Sequence, residues 1–304
     1  MVEVKSLSKL FVDHWALKET TWSVKDKRSL GLLGPNGAGK STTMKIITGL
    51  LCSSEGQVLV DGFDIMKEPV EAKKKIGYLP ETPPLYDELK VIDYLKFICG
   101  LKSVEKSQVT AQVDLAIDKM ALQEMAFRPI RVLSKGFKQR VGIAQSLIGD
   151  PSILILDEPS VGLDPHQVYE LREILKNLKR DHIIILSTHV LSEVQQVCDD
   201  VVILNKGEVK AQGTIEDLLQ KGASSRIVEI RLKSFNSDVS AKIKALPNVE
   251  QTKYKNDTLE LFLNPKAEAN LDLYLSELAS HNCGILSVQQ KQQQLEDVFI
   301  EVTQ

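Results

Sequence analysis

The sequence predicts an α/β fold in which helices cover a parallel sheet. Residues 153–156 and 183–186 are continuous apolar runs, typical of strands that are buried on both faces of such a sheet. Helical patterns alternate with these runs, which is the order of βαβ units. A glycine-rich loop at residues 34–42 lies between another short apolar strand and a helix. These three observations define the predicted core, and the remaining elements are assigned around it.

Strands and helices follow one another through the first two thirds of the chain. Short apolar or alternating runs predict strands, and apolar residues at helical spacing predict helices. The predicted strands are residues 2–7, 20–24, 28–33, 55–62, 76–80, 153–156, 183–186, 201–204 and 208–211. The predicted helices are residues 42–50, 138–148, 168–178 and 191–198. Ser134 is well placed as the N-cap of the second of these helices.

Residues 91–125 differ from this alternation, because their apolar side chains recur at helical spacing with no strand between them. Three prolines at residues 80–84 make the preceding segment a stiff loop in which a helix is disfavoured. We therefore predict a helical subdomain, residues 87–150, inserted into an α/β core that spans residues 1–220.

The C-terminal part of the chain has a different composition. Residues 221–225 predict a linker, and residues 226–304 follow a βαββαβ order, which suggests a small ferredoxin-like α+β domain. Its predicted strands and helices are residues 227–232, 239–246, 249–254, 258–263, 271–280 and 285–289, with a last helix at 295–302. Because no polar motif converges there, we expect a docking or dimerisation surface, with a ligand-sensing module as the alternative.

Composition and charge exclude several classes of protein. The 304 residues are 43% hydrophobic and 26% charged, as in ordinary globular domains. The net charge of −3 is not that of a nucleic-acid-binding domain, which is usually strongly basic. No apolar run is long enough to cross a bilayer, and Lys5 and Lys9 interrupt any secretory signal. The four cysteines form no C-x-x-C pair, so we expect reduced thiols.

The glycine-rich loop fits the phosphate-binding pattern G-x-x-x-x-G-K-[ST], which requires a strand before it and a helix after it. Glycines let successive N–H groups point at an anion, and the helix start adds partial positive charge. Lys40 can place its ammonium on the β- and γ-phosphates, and Ser41 can give its hydroxyl to Mg²⁺. The predicted nucleotide-binding residues of this loop are Gly34, Pro35, Asn36, Gly37, Ala38, Gly39, Lys40, Ser41 and Thr42.

Asp157 and Glu158 follow the apolar strand at its carboxyl end, where open α/β sheets bind ligands. Asp157 can reach Mg²⁺ through its water shell, and Glu158 can orient and polarise an attacking water. His189 ends the neighbouring strand, from which its imidazole could reach the γ-phosphate. Phe11 lies upstream of the loop and offers a flat face to an adenine ring, although a core or turn aromatic is the alternative. The remaining histidines are expected to be surface or satisfied core groups: His14, His166, His182 and His281.

Taken together, these residues resemble the ATP-binding subunit of an ABC transporter. Residues 133–137 resemble the ABC signature and residues 160–164 the D-loop, Glu81 occupies the position of the Q-loop glutamine, and His189 that of the switch histidine. The resemblance covers residues 2–219, and it is specific because other P-loop classes lack the signature. It implies the P-loop NTPase core of an ABC ATPase, with ATP and Mg²⁺ as cofactors.

The resemblance also implies how such a chain would work. Two copies, or one copy and a paralogue, would face each other head to tail around two ATP molecules. Ser134, Lys135 and Gly136, at a helix start, would bind the γ-phosphate held by the other copy. Glu158 would act as the base and His189 would hold it in place. Closing and opening would move a separate membrane-spanning permease, which implies a cytoplasmic chain at the inner face of the cell membrane.

Three positions depart from the family pattern. Lys135 replaces a glycine and adds positive charge near a polyphosphate, and Phe137 replaces a glutamine and removes a polar contact. Glu81 replaces a glutamine; its carboxylate can still ligate Mg²⁺, together with Ser41 and Asp157, but it adds negative charge near the γ-phosphate. We expect Glu81 to tune the rate of hydrolysis rather than abolish it.

Residues 80–86 and the ending at 295–299 resemble bacterial exporter ATPases of the drug-resistance, sodium-efflux and gliding-motility type. The ending fits an ordinary amphipathic terminal helix equally well. A soluble ABC ATPase acting in DNA repair or translation is the alternative function. Those relatives generally carry two nucleotide domains or a long coiled-coil insert, whereas this chain has one phosphate loop and a short helical insert.

Overall fold

The structure, a computed structural model, describes residues 1–222, 226–235, 237–264 and 271–291, together with residues 295, 298, 299 and 302. It divides the chain into two compact units, residues 1–215 and residues 216–302. The predicted linker residues 223–225 lie outside the described residues, as do 292–294 and most of the predicted terminal helix at 295–302. No helix in the described part of the chain is both long and apolar enough to span a bilayer.

The predicted strands and helices of the N-terminal unit occur in the predicted order, but the second strand begins six residues earlier than predicted, and a short strand at residues 63–64 and a helix at residues 69–74 were not predicted. Its strands are β1 (Val2–Phe11), β2 (His14–Val24), β3 (Ser29–Leu33), β4 (Glu55–Val60), β5 (Phe63–Asp64), β6 (Ile76–Leu79), β7 (Ile153–Asp157), β8 (Ile183–Thr188), β9 (Asp200–Asn205) and β10 (Glu208–Thr214). Its helices are α1 (Lys40–Ile47), α2 (Pro69–Lys74), α3 (Val91–Leu101), α4 (Val109–Lys119), α5 (Lys135–Leu147), α6 (Pro165–Leu178) and α7 (Leu191–Val197).

The central sheet has the order β10-β9-β3-β8-β7-β6, and all of its pairs are parallel except that of β9 with β10. All residues of β3, β7 and β8 are buried, which confirms the interpretation of their apolar runs. The register pairs Leu33 with Thr188 and Asp157 with Ser187. The ends of these three strands therefore meet at one edge of the sheet, immediately before the phosphate-binding loop.

A second, antiparallel sheet has the order β2-β1-β4-β5. A buried core includes Val4 and Trp22 of this sheet, Leu30 and Ile155 of the central sheet, and Met44 of α1. Burial of large apolar side chains contributes about 1.5–3 kcal/mol each. This core therefore fixes the start of α1 against the ends of the central strands.

The helical insert contains α3, α4 and α5, with two 3₁₀ turns at residues 123–125 and 130–132. The predicted N-cap is confirmed, since Ser134 Oγ accepts a hydrogen bond of 3.4 Å from the N–H of Phe137. The predicted helix start at residue 138 was three residues too late. The cap at Ser134 makes Lys135 the first helical residue, so the signature residues 135–137 form the first turn of α5.

The C-terminal unit contains α8 (Ile215–Gly222), β11 (Arg226–Leu232), α9 (Ser237–Lys244), β12 (Val249–Lys255), β13 (Thr258–Leu263), α10 (Leu271–Ser280) and β14 (Ile285–Lys291). Its four strands form an antiparallel sheet in the order β12-β13-β11-β14. This is the ferredoxin-like arrangement that the βαββαβ order predicts. The unit has its own core, which includes Ile230, Leu261 and Tyr274.

Candidate functional site

The phosphate-binding loop connects β3 to α1, and its backbone conformation depends on glycine. Gly37 and Gly39 have positive φ angles of 79° and 105°. A Cβ on Gly39 would lie 2.7 Å from the carbonyl oxygen of Ala16, and one on Gly34 would lie 2.5 Å from that of Leu204. Gly39 gives α1 no side-chain cap, so the first N–H groups of this helix remain available to an anion.

Lys40 is the first residue of α1, and its side chain folds back under the loop. Its Nζ donates to the carbonyl oxygens of Gly34 at 2.8 Å and Pro35 at 3.3 Å. The same Nζ lies 3.6 Å from Oε1 of Glu158, and both side chains are buried. The ammonium therefore lies between the loop and the end of β7, where phosphates bound by the loop would meet Glu158.

Asp157 and Ser41 bring oxygen atoms together beneath the loop. Ser41 Oγ lies 3.4 Å from Oδ1 of Asp157, and the Ser187 hydroxyl donates to the same carboxylate oxygen. Mg²⁺ is usually bound by one or two protein oxygens together with waters and substrate phosphates. Within the described residues there is no group of three or more His, Cys, Asp and Glu side chains that could hold a metal alone. The donor set therefore fits Mg²⁺ that enters with a nucleotide.

Glu158 has a positive φ of 48°, an uncommon conformation for a residue other than glycine. Its N–H bonds the carbonyl oxygen of Ser187 at 3.1 Å, which fixes the turn after β7 against β8. Its Oε2 lies 2.9 Å from Nδ1 of His189. The glutamate side chain is buried, whereas the histidine side chain is 52% exposed. This geometry holds the carboxylate between Lys40 and His189 and leaves the imidazole open to solvent.

A cleft of about 570 Å³ lies over the loop. The predicted residues that line it are Phe11, Asn36, Gly37, Ala38, Gly39, Lys40, Ser41, Thr42, Glu81, Glu158 and His189. Gly34 and Pro35 do not line it and act through their carbonyl groups on Lys40, while Asp157 is buried beneath it. Ser134, Lys135 and Gly136 are not part of its wall. The structure therefore brings two groups of predicted site residues to two separate places.

Comparison with known proteins identifies the family. The profile of a family described as ABC transporter matches residues 17–161. The chain is 32% identical to an uncharacterized ABC transporter ATP-binding protein, YxlF of Bacillus subtilis strain 168, over 99% of both chains. It is 33% identical to the linearmycin resistance ATP-binding protein LnrL of the same bacterium, over 100% of this chain and 98% of that one. This chain belongs to the family of ABC transporter ATP-binding proteins.

The fold agrees with this assignment. A solved structure of an ATP-binding subunit of an ABC transporter is 33% identical and superposes with a TM-score of 0.66, over 73% of this chain and 92% of that one. The chain is therefore an ABC ATPase. The resemblance to drug-resistance ATPases is also confirmed by the linearmycin relative.

The signature of this ABC ATPase packs against its own D-loop. A Cβ on Gly136 would lie 2.7 Å from Cδ of Gln167, and one on Gly162 would lie 1.9 Å from Nζ of Lys135. Gly162 also has a positive φ of 72°. The Gln167 side chain therefore lies against the first turn of α5, and the Lys135 side chain lies over the D-loop.

Sequence reasoning gave no role to Ser187, Thr188 or Tyr78, which all border the site. Ser187 donates to Asp157, and its carbonyl accepts from Glu158. Burial and the nearby Asp157 carboxylate raise the pKa of Tyr78 to about 12, so its phenol stays neutral. Two polar residues at the end of an otherwise apolar strand were the available signal for Ser187 and Thr188, because buried polar groups need partners.

Proposed function

We propose that this ABC ATPase hydrolyses Mg²⁺-bound ATP in paired cassettes and thereby powers export through a separate membrane-spanning permease. The observation that carries the proposal is the convergence of Lys40, Glu158 and His189 on one cleft, while the signature lies outside that cleft. A cassette that contains its own phosphate loop and base but directs its signature elsewhere needs a second cassette to complete the site.

Within the cleft, each residue has a distinct role. The loop N–H groups and Lys40 hold the β- and γ-phosphates, and Phe11 stacks on the adenine. Ser41 and Asp157, with Glu81 at the rim, would hold Mg²⁺, and the ion would supply positive charge to the phosphates.

The proposed hydrolysis step uses two further side chains. Glu158 accepts a proton from a water whose oxygen forms a bond to the γ-phosphorus, and the bond from that phosphorus to the ADP oxygen breaks. His189 donates a hydrogen bond to Glu158 and orients its carboxylate. Because its imidazole is half exposed, it is also accessible to the γ-phosphate.

Pairing of two cassettes follows from the position of the signature. Ser134 and Lys135 are exposed at the start of α5, and the backbone of Gly136 is in its first turn. A helix start attracts phosphate, and Lys135 adds a positive charge at the same place. We infer that these residues contact the γ-phosphate held by a second copy or by a paralogue.

The permease partner is inferred from the insert and from the relatives. Large apolar side chains are exposed on the insert at Phe97, Phe127 and Val132, and Tyr86 just before the insert contacts Phe97, with ring centroids 5.4 Å apart. Exposed apolar side chains of this kind are suited to a helix from a cytoplasmic loop of the permease, which would hold this chain at the inner face of the cell membrane. One relative is named for linearmycin resistance, which supports export as the direction. The C-terminal unit is proposed to be a docking or dimerisation surface.

The decisive test is Glu158→Gln. If Glu158 is the base, this variant binds ATP but does not hydrolyse it, so ATP with Mg²⁺ converts it to a stable dimer in size-exclusion chromatography with light scattering. Adding Lys135→Glu to this variant should prevent the dimer, because it places a carboxylate at the signature. A Glu158→Gln protein that turns over ATP at the native rate, or that stays monomeric with ATP, would contradict the proposal.

A further inference from the structure

Glu193 is a buried carboxylate that the proposed mechanism does not use. It lies on α7, four residues after His189, and is only 4% exposed. Its Oε2 accepts a hydrogen bond of 2.8 Å from the hydroxyl of Thr188. Burying a carboxylate costs several kcal/mol unless hydrogen bonds or opposite charge compensate. An apolar residue would fill this place on α7 without that cost, so the carboxylate points to a specific role.

Thr188 is the residue through which Glu193 can act on the site. It directly precedes His189 and is completely buried. Its hydroxyl donates to Glu193 and accepts from the N–H of Val190 at 3.0 Å. The hydroxyl therefore ties together the residues on both sides of His189. The N–H of Glu193 bonds the carbonyl oxygen of Val190 at 3.2 Å, which closes the turn.

Arg172 provides positive charge on the other side of this network. It lines the same small cavity as Glu193, together with Ser160 at the beginning of the D-loop. Its guanidinium is held against α7 by hydrogen bonds of 3.2 Å to Ser192 Oγ and 3.1 Å to Gln196 Oε1. Its Nε is buried and has no hydrogen-bond partner within the described part of the chain. The guanidinium therefore anchors α7 from α6, and its positive charge borders the same cavity as the buried carboxylate.

We propose that Glu193 is a positioning residue for His189: through the Thr188 hydroxyl it fixes the turn that aims the imidazole at Glu158. This inference rests on the proposed role of His189 in hydrolysis. It assigns to Glu193 no contact with nucleotide, so its removal changes the orientation of the imidazole rather than the binding of ATP. The Arg172 side chain holds α7 against α6 independently of this hydrogen bond, through Ser192 and Gln196.

Steady-state kinetics separate this role from a general structural one. Glu193→Ala is expected to lower kcat by roughly tenfold with KM for ATP within about twofold, because misplacing a catalytic group affects turnover more than binding. Glu193→Gln keeps an acceptor for Thr188 and is expected to restore most of kcat. Thr188→Val should lower kcat at least as much as Glu193→Ala, because it removes the hydrogen bond to Glu193 and also the acceptor of the Val190 N–H. Adding Glu193→Ala to Thr188→Val should cause no further loss, because the bond between these two side chains is already broken. Gln195→Ala, on the exposed face of α7, is the matched control.

The orientation of His189 can be measured without activity. The measurement is an NMR spectrum of protein isotopically labelled at its five histidine rings. The ring signal of His189 is assigned by its loss in His189→Ala. We expect this signal to shift or broaden in Glu193→Ala and Thr188→Val but not in Gln195→Ala. An unchanged ring signal, an unchanged kcat, or multiplicative losses in the double variant would overturn the inference. A fully active His189→Ala would instead disprove the proposed role of His189, and the ring signal would still test Glu193. If Glu193→Ala does not fold, kcat and the His189 ring signal of Thr188→Val test the inference instead.

Discussion

Lys40 and Glu158 show how single residues couple binding to chemistry in this site. Their charged groups lie 3.6 Å apart in a buried environment, and Lys40 also donates to two loop carbonyls. Attraction between opposite charges is strong where water is excluded. Phosphate oxygens compete with Glu158 for the Lys40 ammonium, and we expect this competition to release the carboxylate toward His189 and the attacking water.

Glu81 also gives a prediction for a single residue, because it is exposed on the wall of the cleft, at the position where the family resemblance implies a glutamine. Both side chains offer an oxygen to Mg²⁺, but only the carboxylate adds negative charge near the γ-phosphate. We expect Glu81→Gln to retain steady-state ATPase activity within about tenfold. Glu158→Gln, assayed in parallel, should be inactive. Complete loss of activity in Glu81→Gln would show that the carboxylate itself is required.

Phe11 is predicted to bind the base and not the phosphates. It is 44% exposed in the cleft, and Nζ of Lys9 lies 5.1 Å from its ring centroid. Base stacking on an aromatic ring contributes about 1–3 kcal/mol, so Phe11→Ala should weaken ATP binding by about tenfold or more. Phe11→Trp should bind ATP about as well as the native chain. Calorimetry measures both affinities, and tripolyphosphate is the control ligand because its affinity for Phe11→Ala should equal that for the native chain. If Phe11→Ala lost as much affinity for tripolyphosphate as for ATP, Phe11 would not stack on the base.

At the scale of elements, the parallel register explains which parts of the site could be predicted. A motif between a strand and a helix was sufficient to place the loop, and an apolar run ending in two acids was sufficient to place Asp157 and Glu158. The sequence does not show that β3 lies between β8 and β9, or that Ser187 lies opposite Asp157. These contacts join residues that are between 30 and 170 positions apart in the sequence, so local sequence patterns do not reveal them. The position of the signature away from the cleft likewise depends on packing of α5 against α6.

Asp199, which directly precedes β9, connects the ends of α6 and β3 by hydrogen bonds, and this leads to a prediction about the pH dependence of stability. It accepts hydrogen bonds from Lys179 at the end of α6 and from both the N–H and the hydroxyl of Ser29 in β3. Burial raises the pKa of Asp199, but these hydrogen bonds outweigh burial and hold the pKa below its ordinary value. Since the folded pKa is depressed, this stabilisation is complete above the unfolded pKa of about 4 and is lost as pH falls through the folded value.

We therefore expect Asp199→Asn to lower the free energy of unfolding by about 1.5–3 kcal/mol at pH 7, the range for hydrogen bonds to charged groups. The difference from the native chain should shrink as pH falls below about 4. Urea denaturation at a series of pH values measures the loss of unfolding free energy at pH 7 and its decrease at low pH. Asp181→Asn is the control, because its ion pair with Lys119 is exposed and should contribute little. A penalty for Asp199→Asn that does not vary with pH would contradict the assigned cause.

At the scale of the whole molecule, each of the two units contains a hydrophobic core, and among the described residues these two cores have none in common. A unit with its own core has the means to fold by itself. The composition change at residues 221–225 predicted a boundary at 220, and the structure divides the chain after residue 215. The difference arises because α8 spans residues 215–222, and a short helix at a boundary leaves little trace in composition.

Two matched substitutions test whether the units are independent in stability. Leu261 in β13 and Leu154 in β7 are both completely buried, and each belongs to one unit only. Truncating a buried leucine to alanine costs about 2–5 kcal/mol, because it loses apolar burial and leaves a cavity. We expect Leu261→Ala to increase hydrogen exchange in the C-terminal unit alone and to leave ATP affinity within about twofold of native. Leu154→Ala should increase exchange in the N-terminal unit and weaken ATP binding, because β7 carries Asp157 and Glu158. If Leu261→Ala weakened ATP binding as much as Leu154→Ala does, the C-terminal unit would have to stabilise the nucleotide site directly.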